Sequence, residues 1–515
     1  MKAEDLIQQH AFKGSRMKSA VHYSRSHSML VVTFILLALS AHVNAQRYCN
    51  PLPISPFLVE KGRLGSAYAR SMADPTVIRH NGKWYLFPTG GMGFSGMSQA
   101  WVSEDFLHWQ YHPLTVAGRS TTITAPDVVE YRRKFYLVGN GTGLYRSDDP
   151  LGPYELVGEF KDNEGKPLRI FDAMIFVDDD ARVYLYTGGI RGVELDPEDL
   201  TRAKGPQVSL FGFQKDHVWE RRGDSNQDPA RSAIEAHWMT KRNGTYYLQY
   251  SAPGTEFKTY AVGLYTSRSP LGPFVYDARS PILHDRGRLM NGTGHNSIVE
   301  GPGGTYWMFY HVLYGNNGGF ERRLAMDPVG FDAEGRMFVN GPTETPQWAP
   351  GVKPNPALDN DSGSIPLTIN VYERQASSSA PGRDPGYAID NNVRTWWAPA
   401  AGDTKPWLAV DLGGALGGGQ ATSGFTIDSS RILFSDHGLD AADRVVSGSY
   451  QYRLEVSADG KEFRTVLDKS RNTVENNIEF DEIPPVRARW VRVTITGTPK
   501  NLPLGILEFT VFGKP

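Results

Sequence analysis

Only one cysteine, Cys49, occurs in 515 residues, so no internal disulfide can hold this chain together. Neither sign of charge dominates: 54 lysines and arginines stand against 56 aspartates and glutamates. That balance removes the net-charge basis for a nucleic-acid partner. Helical periodicity is scarce, and 54 glycines with 11% aromatics suit an all-β protein rich in turns. Long apolar runs are missing too, save one. Residues 29–41 (MLVVTFILLALSA) follow a basic, polar lead with Lys18, His22 and Arg25, and Val43-Asn44-Ala45 comes just after. This is the three-part pattern of a secretory signal cleaved near Ala45. The run is too short for a comfortable membrane span, so the expectation is a secreted or periplasmic protein. Glu4 and Asp5 are unusual in a signal, which makes Met17 an alternative start. A lipid anchor on Cys49 would need small residues before it, and Gln46-Arg47-Tyr48 do not supply them.

What the chain does have is one phrase written five times. The copies are DPTVIRHNGKWYLF from Asp74, PDVVEYRRKFYLV from Pro126, DAMIFVDDDARVYLY from Asp172, EAHWMTKRNGTYYLQY from Glu235 and HNSIVEGPGGTYWMFY from His295. Each has a polar head, a short apolar strand, a polar or Gly turn and an aromatic-rich strand. LYRSDDPLGPYELV from Leu144 and LYTSRSPLGPFVYD from Leu264 add a third strand, a Pro-Gly turn and an outer strand. A period of this size with four strands per unit predicts a five-bladed β-propeller over residues 46–348. Equivalent positions of a propeller converge on its axis. The heads, Asp74, Asp127, Asp172, Glu235 and His295, are therefore expected to meet in one place.

Residues 349–364, dense in Pro, Asn, Asp and Ser, read as a linker. Beyond it, YRLEVSAD from Tyr452, RWVRVTITG from Arg489 and ILEFTVFG from Ile506 alternate as strands do. With AIDNNVRTWWAP from Ala388 and PWLAVDLG from Pro406, residues 365–515 resemble the discoidin or coagulation-factor type C sandwich. Among carbohydrate-binding modules they are most similar to family 32. That resemblance implies a structural calcium held by Asp390, Thr395 and Glu508, since hard oxygen donors suit this ion. The plainer alternative is a turn cap at Asp390 and a solvated strand residue at Glu508. Residues 414–430 are Gly-rich and depart from the pattern. Trp396 and Trp397 could serve as sugar platforms, although at least one is expected in the core.

Hydrolysis of a glycosidic bond needs two carboxyl groups, one to protonate the leaving oxygen and one to activate water or attack. Their pKa values must differ, and a third carboxylate near the acid keeps it protonated by like-charge repulsion. The blade heads supply such a set. Ala73-Asp74-Pro75, the FDAMIF run from Phe171 with Asp178-Asp179-Asp180, Ile234-Glu235-Ala236 and Gly294-His295-Asn296-Ser297 resemble glycoside hydrolase family 43, over about residues 68–348. The resemblance implies a five-bladed propeller that inverts the anomeric configuration and needs no cofactor for its chemistry. It makes Asp74 the general base, Glu235 the general acid and Asp172 the carboxylate that raises and orients the acid. His295 matches an axial histidine that helps hold a calcium or a water cluster under the sugar, and Asp127 a supporting residue of the second blade, and both are counted among the substrate-binding candidates. Arg322 matches a late arginine that contacts substrate. Trp101, Trp219 and Trp238 are available for stacking on sugar, with Trp101 the candidate carried forward. In the family Gly-Pro commonly follows the acid, but here Ala236-His237-Trp238 does. That bulky pair either closes part of the pocket or adds a histidine and a ring to it. The implied activity is exo-release of α-L-arabinofuranosyl residues from polysaccharide, with β-xylosidase and β-D-galactofuranosidase as alternatives. A lectin-like, non-catalytic propeller is the reading from another class.

Overall fold

The computed structural model describes residues 46–54, 72–90, 98–117, 123–315, 321–369, 371, 373–414, 424–435, 448–500 and 502–515. The expected signal segment and much of the Gly-rich stretch after Gly414 lie outside them. Residues 47–515 form one compact unit, and among the described residues no helix is long and apolar enough to cross a membrane.

The chain is all-β, a five-bladed propeller followed by a β-sandwich. Each blade is an antiparallel meander taken from one contiguous stretch. Blade 1 comprises Met72–His80, Lys83–Gly90, Ser98–Ser103 and Gln110–Leu114. Blade 2 comprises Asp127–Tyr131, Lys134–Val138, Leu144–Ser147 and Glu155–Gly158. Blade 3 comprises Met174–Val177, Val183–Thr187, Arg191–Asp196 and Asp199–Ala203, with Val208–Ser209 added on its third strand. Blade 4 comprises Glu235–Arg242, Thr245–Ala252, Ala261–Ser267 and Val275–Tyr276. Blade 5 comprises Gly294–Glu300, Tyr306–Leu313, Arg322–Phe331 and Met337–Val339. First strands of successive blades are neighbours, and blade 5 closes the circle on blade 1.

The aromatic second strands explain the closure. A strand shows alternate residues to opposite faces, so a run such as Trp84-Tyr85-Leu86-Phe87 presents bulk to both neighbouring blades. Trp84 and Phe106 of blade 1 meet Trp307 and Phe309 of blade 5 in one cluster. Phe106 stands edge-on to Phe309 at 5.0 Å between ring centres, and Trp84 Nε1 donates to Glu300 O at 2.8 Å. Such edge contacts contribute about 1 kcal/mol each beyond the area they bury. The N-terminal stretch straps the outside of blade 5. Leu52 N donates to Leu324 O, and Asn50 exchanges two bonds with the Met326 backbone. Cys49 is fully buried there, and burial pushes its thiol up to about 11.

The sandwich stacks two sheets. One runs Ile365–Pro366, Ile506–Lys514, Phe425–Phe434, Ile478–Ala488. The other runs Arg374–Ala376, Trp407–Asp411, Trp490–Gly497, Gln451–Ser457, Arg464–Asp468. Its inner face carries Trp397, Leu408, Val491 and Phe509. The sandwich is not loosely tethered. Leu289 and Tyr314 of the propeller share an apolar cluster with Val393, Trp396, Leu433, Ile478 and Leu507. Tyr314 Oη donates to Phe434 O at 2.7 Å, and buried Arg431 donates to the carbonyls of Asn50 and Glu344. Residues 349–364 turn back on the strand before them, with Trp348 N donating to Asn360 O.

Candidate active site

Blade heads are built the same way. Asp74, Ala125, Asp172, Ala236 and His295 all have left-handed backbone, with φ of 47°, 46°, 45°, 61° and 47°. Non-glycine residues rarely adopt this region, and a run of them at repeat-equivalent places marks a functional constraint. In blades 1, 4 and 5 a register shift covers the head, between Ala73 and Thr76, Glu235 and Trp238, and Gly294 and Ser297. Such bulges re-aim a side chain from the sheet toward the axis. The register corrects two assignments of phase. Glu235 pairs with Ser251 as Gly294 pairs with His311, so Glu235 stands one residue before the head and Ala236 occupies it. Asp127 stands two residues after its head, at the place of Thr76. Its Oδ2 accepts from Ile175 N of blade 3 at 2.7 Å, as Thr76 Oγ1 donates to Pro126 O of blade 2 at 2.8 Å. Asp127 is therefore an interblade staple rather than a substrate contact.

A second ring supports the first. In four of five seams a side chain near or just past the end of a second strand accepts the head N–H of the next blade. Thr89 Oγ1 accepts from Ala125 N at 2.7 Å, and Asn140 Oδ1 accepts from Asp172 N. Ser251 Oγ accepts from His295 N at 2.9 Å, and His311 Nδ1 from Asp74 N at 3.3 Å. His311 Nδ1 also lies 3.2 Å from Asp74 Oδ1, and its Nε2 meets Thr255 Oγ1 at 3.0 Å. Burial pushes this imidazole down to about 4, so it is neutral.

Asp74, Asp172, Glu235, His295 and Arg322 come together. Asp74 Oδ1 lies 3.1 Å from His295 Nδ1 and 3.3 Å from Arg322 Nη1, while Oδ2 accepts from Thr89 Oγ1 at 2.7 Å. Burial alone would raise this carboxyl, but the Arg322 and His295 charges overcome it and hold Asp74 well below the usual range. His295 Nδ1 also approaches Asp172 Oδ2 at 3.9 Å. Burial disfavours its charge, yet the surrounding carboxylates raise its pKa to about 9. Glu235 is raised to about 7, first by burial and then by Asp172. Burial, opposed by His295 and reinforced by Asp74, raises Asp172 as well. An ionised carboxylate thus shares the site with one that keeps its proton up to about pH 7.

Four partners are missed in the sequence, two of them at repeat-equivalent places where the residue type varies from blade to blade. Tyr260 Oη donates to Glu235 Oε1 at 3.0 Å, and its ring lies parallel to His311 with centres 5.5 Å apart. Thr255 Oγ1 accepts from Arg322 Nη1 at 2.9 Å. Asn140 Nδ2 donates to Asp172 Oδ1 at 3.0 Å. His311 lies inside an aromatic strand that reads as core. Tyr260 and Thr255 belong to a loop, where residue spacing carries no pattern.

The tryptophan assignment is corrected. Trp101 is fully buried in the cluster joining blades 1 and 5, so it has no face to offer a sugar. Trp219 packs on Gly263 and Tyr250, and Trp238 on the clusters flanking blade 4. His237 is buried, with its Nδ1 2.9 Å from Asp172 O. In the sandwich both Trp396 and Trp397 are buried, at 3% and 0% exposure, so neither is a platform. Thr395 Oγ1 donates to Asp390 Oδ2 at 2.8 Å, and Glu508 Oε2 accepts from Asn391 N at 3.0 Å in the same turn. Glu508 is buried, not solvated. Two carboxylates and a hydroxyl around one turn, beside its backbone carbonyls, are a donor set that fits a hard cation.

Converging carboxylates of opposite protonation on a propeller axis define a glycoside hydrolase. The sequence model of glycosyl hydrolases family 43 matches residues 68–337, and the chain belongs to that family. Over 298 residues it is 29% identical to the β-D-galactofuranosidase xynD of Aspergillus niger, covering 52% of this chain and 81% of that one. It is 28% identical to a β-xylosidase of Xylanibacter ruminicola, covering 52% and 95%. It is 24% identical to the extracellular exo-α-(1→5)-L-arabinofuranosidase ArbA of Cellvibrio japonicus, covering 51% and 84%. A solved thermostable family-43 glycoside hydrolase superposes with a TM-score of 0.47 at 24% identity, covering 59% of this chain and 99% of that one.

Proposed function

We propose that the protein is an exported, inverting exo-glycosidase that releases α-L-arabinofuranosyl residues from polysaccharide. The observation that carries the chemistry is the split in protonation, with Asp74 held ionised and Glu235 held protonated. Water deprotonated by Asp74 attacks the anomeric carbon from one face, and Glu235 protonates the departing oxygen on the other. Asp172 keeps Glu235 protonated until the sugar is in place. Arg322 and the His295 imidazolium hold Asp74 in its basic form and direct it. A neutral sugar needs no three converging carboxylates for binding alone, which weighs against a lectin-like propeller.

The names of the relatives include an α-L-arabinofuranosidase, a β-xylosidase and a β-D-galactofuranosidase, so the last two are kept as competing specificities. Hydrolysis of 4-nitrophenyl α-L-arabinofuranoside, β-D-xyloside and β-D-galactofuranoside, with a β-D-galactopyranoside control, tests the reading. Release from the arabinofuranoside is expected, and preference for another sugar replaces the specificity. Silence from the whole panel and from oligosaccharides of all three sugars would return the lectin reading.

The sandwich is read as a discoidin-like, family-32-type carbohydrate-binding module. Asp390, Thr395 and Glu508 would hold a calcium ion that fixes the turn at Asn391. Calcium added to chelator-treated protein is expected to raise the Tm by several degrees through preferential binding to the folded state. The same addition to Glu508→Gln should give little or no rise. An equal rise in both proteins removes these ligands from the proposal.

A further inference from the structure

The supporting ring has one gap. Blade 3 carries Gly188 at the place of Thr89, Asn140, Ser251 and His311, so no side chain awaits the head N–H of blade 4. That N–H, from Ala236, is directed at the Asp172 carboxylate instead. The next residue adds a second bond, His237 Nδ1 to Asp172 O at 2.9 Å. A carbonyl oxygen only accepts, so Nδ1 carries the proton. Burial keeps the ring neutral, with its pKa pushed down to about 4. The corresponding residues of blades 1, 2 and 3 are Pro75, Pro126 and Ala173, none of which has a side chain able to donate.

We propose that His237 is a positioning residue, which together with the Ala236 N–H clamps Asp172 and so sets the acid strength of Glu235. The inference rests on the acid role given to Glu235 above. Because Ala236 and His237 follow Glu235 directly, the acid and its neighbouring carboxylate are held by a two-residue bridge rather than by blade packing alone. Asn140 holds Asp172 at two further points, donating to its carboxylate and accepting from its N–H, so that backbone and side chain of Asp172 are both fixed. Loss of the His237 bond frees the carbonyl side of Asp172, weakens the repulsion at Glu235 and lowers the pKa of the acid.

The test compares His237→Ala, His237→Asn and His237→Gln in the full chain. The Asn amide nitrogen reproduces the place of Nδ1, whereas the Gln amide reaches the place of Nε2. In His237→Ala and His237→Gln the alkaline limb of kcat/KM is expected to move down by about one pH unit. The loss should be about tenfold greater on a methyl glycoside, whose leaving group needs the acid, than on the 4-nitrophenyl glycoside. His237→Asn should keep the wild-type limb and ratio. A limb that stays or moves up in His237→Ala, or Asn and Gln variants that behave alike, overturns the clamp. If the wild type cleaves no glycoside, the functional reading fails first, and a thermal readout decides the clamp. The pH midpoint of the Tm gap between each protein and its Glu235→Gln partner should fall in the His237→Ala background and hold in the His237→Asn background. An unmoved midpoint in His237→Ala overturns it.

Discussion

Glu235→Gln is expected to melt above the wild type at pH 8 while losing hydrolysis. The folded protein holds the Glu235 proton up to about pH 7, against an ordinary value of 4.5. As pH rises from about 4.5 the unfolded chain ionises first, so this residue withdraws stability until about pH 7, and the loss is complete above it. Glutamine has no charge to bury and escapes that loss, which is at most about 3 kcal/mol. A Tm gap that opens between pH 5 and 7 and vanishes below pH 4.5 is the signature to measure. On substrates with poor leaving groups the missing acid should lower kcat by about 10²- to 10⁴-fold. A Tm gap independent of pH would mean that Glu235 ionises like a surface carboxylate, and the assignment of the acid would fall with it.

Asp74→Asn should do the opposite to stability and the same to turnover. Asp74 is the anion between two buried or nearly buried cations, Arg322 and the His295 imidazolium. Neutralising it leaves both uncompensated, which costs about 3–5 kcal/mol for a pair broken from one side. The depressed pKa of Asp74 means that its contribution is present at all pH values above about 4 and is lost only as pH falls further. The His295 part behaves in the other sense. Its pKa of about 9 is raised chiefly by Asp74, so the stability the wild type gains from this pair is full below the ordinary value of 6.5 and is lost as pH rises through 9, whereas the variant has no such gain to lose. Urea unfolding at pH 7 and pH 10 should therefore show a larger deficit for Asp74→Asn at pH 7. Equal deficits would show that His295 is neutral beside Asp74. Together the two variants separate a site carboxyl that strains the fold from one that supports it.

The attachment of the sandwich bears on both experiments. Arg322 and Arg323 are consecutive on one strand and face opposite ways. The first reaches Asp74, and the second reaches Asn477 of the sandwich and the ring of Tyr314. The strand that presents Arg322 to Asp74 is thus bonded on its other face to the sandwich, and the two layers are expected to unfold together.

The sequence by itself determined the blades, because a strand that must bury both faces repeats the same aromatic doublet wherever it occurs. It also singled out Asp74, Asp172 and Glu235, acidic residues at or next to the blade heads, as residues that a propeller would bring together. Tertiary structure decided what the repeat could not encode. One register shift puts Glu235 a residue ahead of its apparent equivalents, and two residues of offset turn Asp127 into a staple. Trp101 and Trp396 look alike as letters, and only ring closure and domain packing bury both. His311, Tyr260, Thr255 and Asn140 entered the site for the same reason. His311 and Asn140 sit at places the repeat does mark, but the side chains there differ from blade to blade, and Tyr260 and Thr255 belong to a loop, so which of them meets a carboxylate is decided only after five blades have closed.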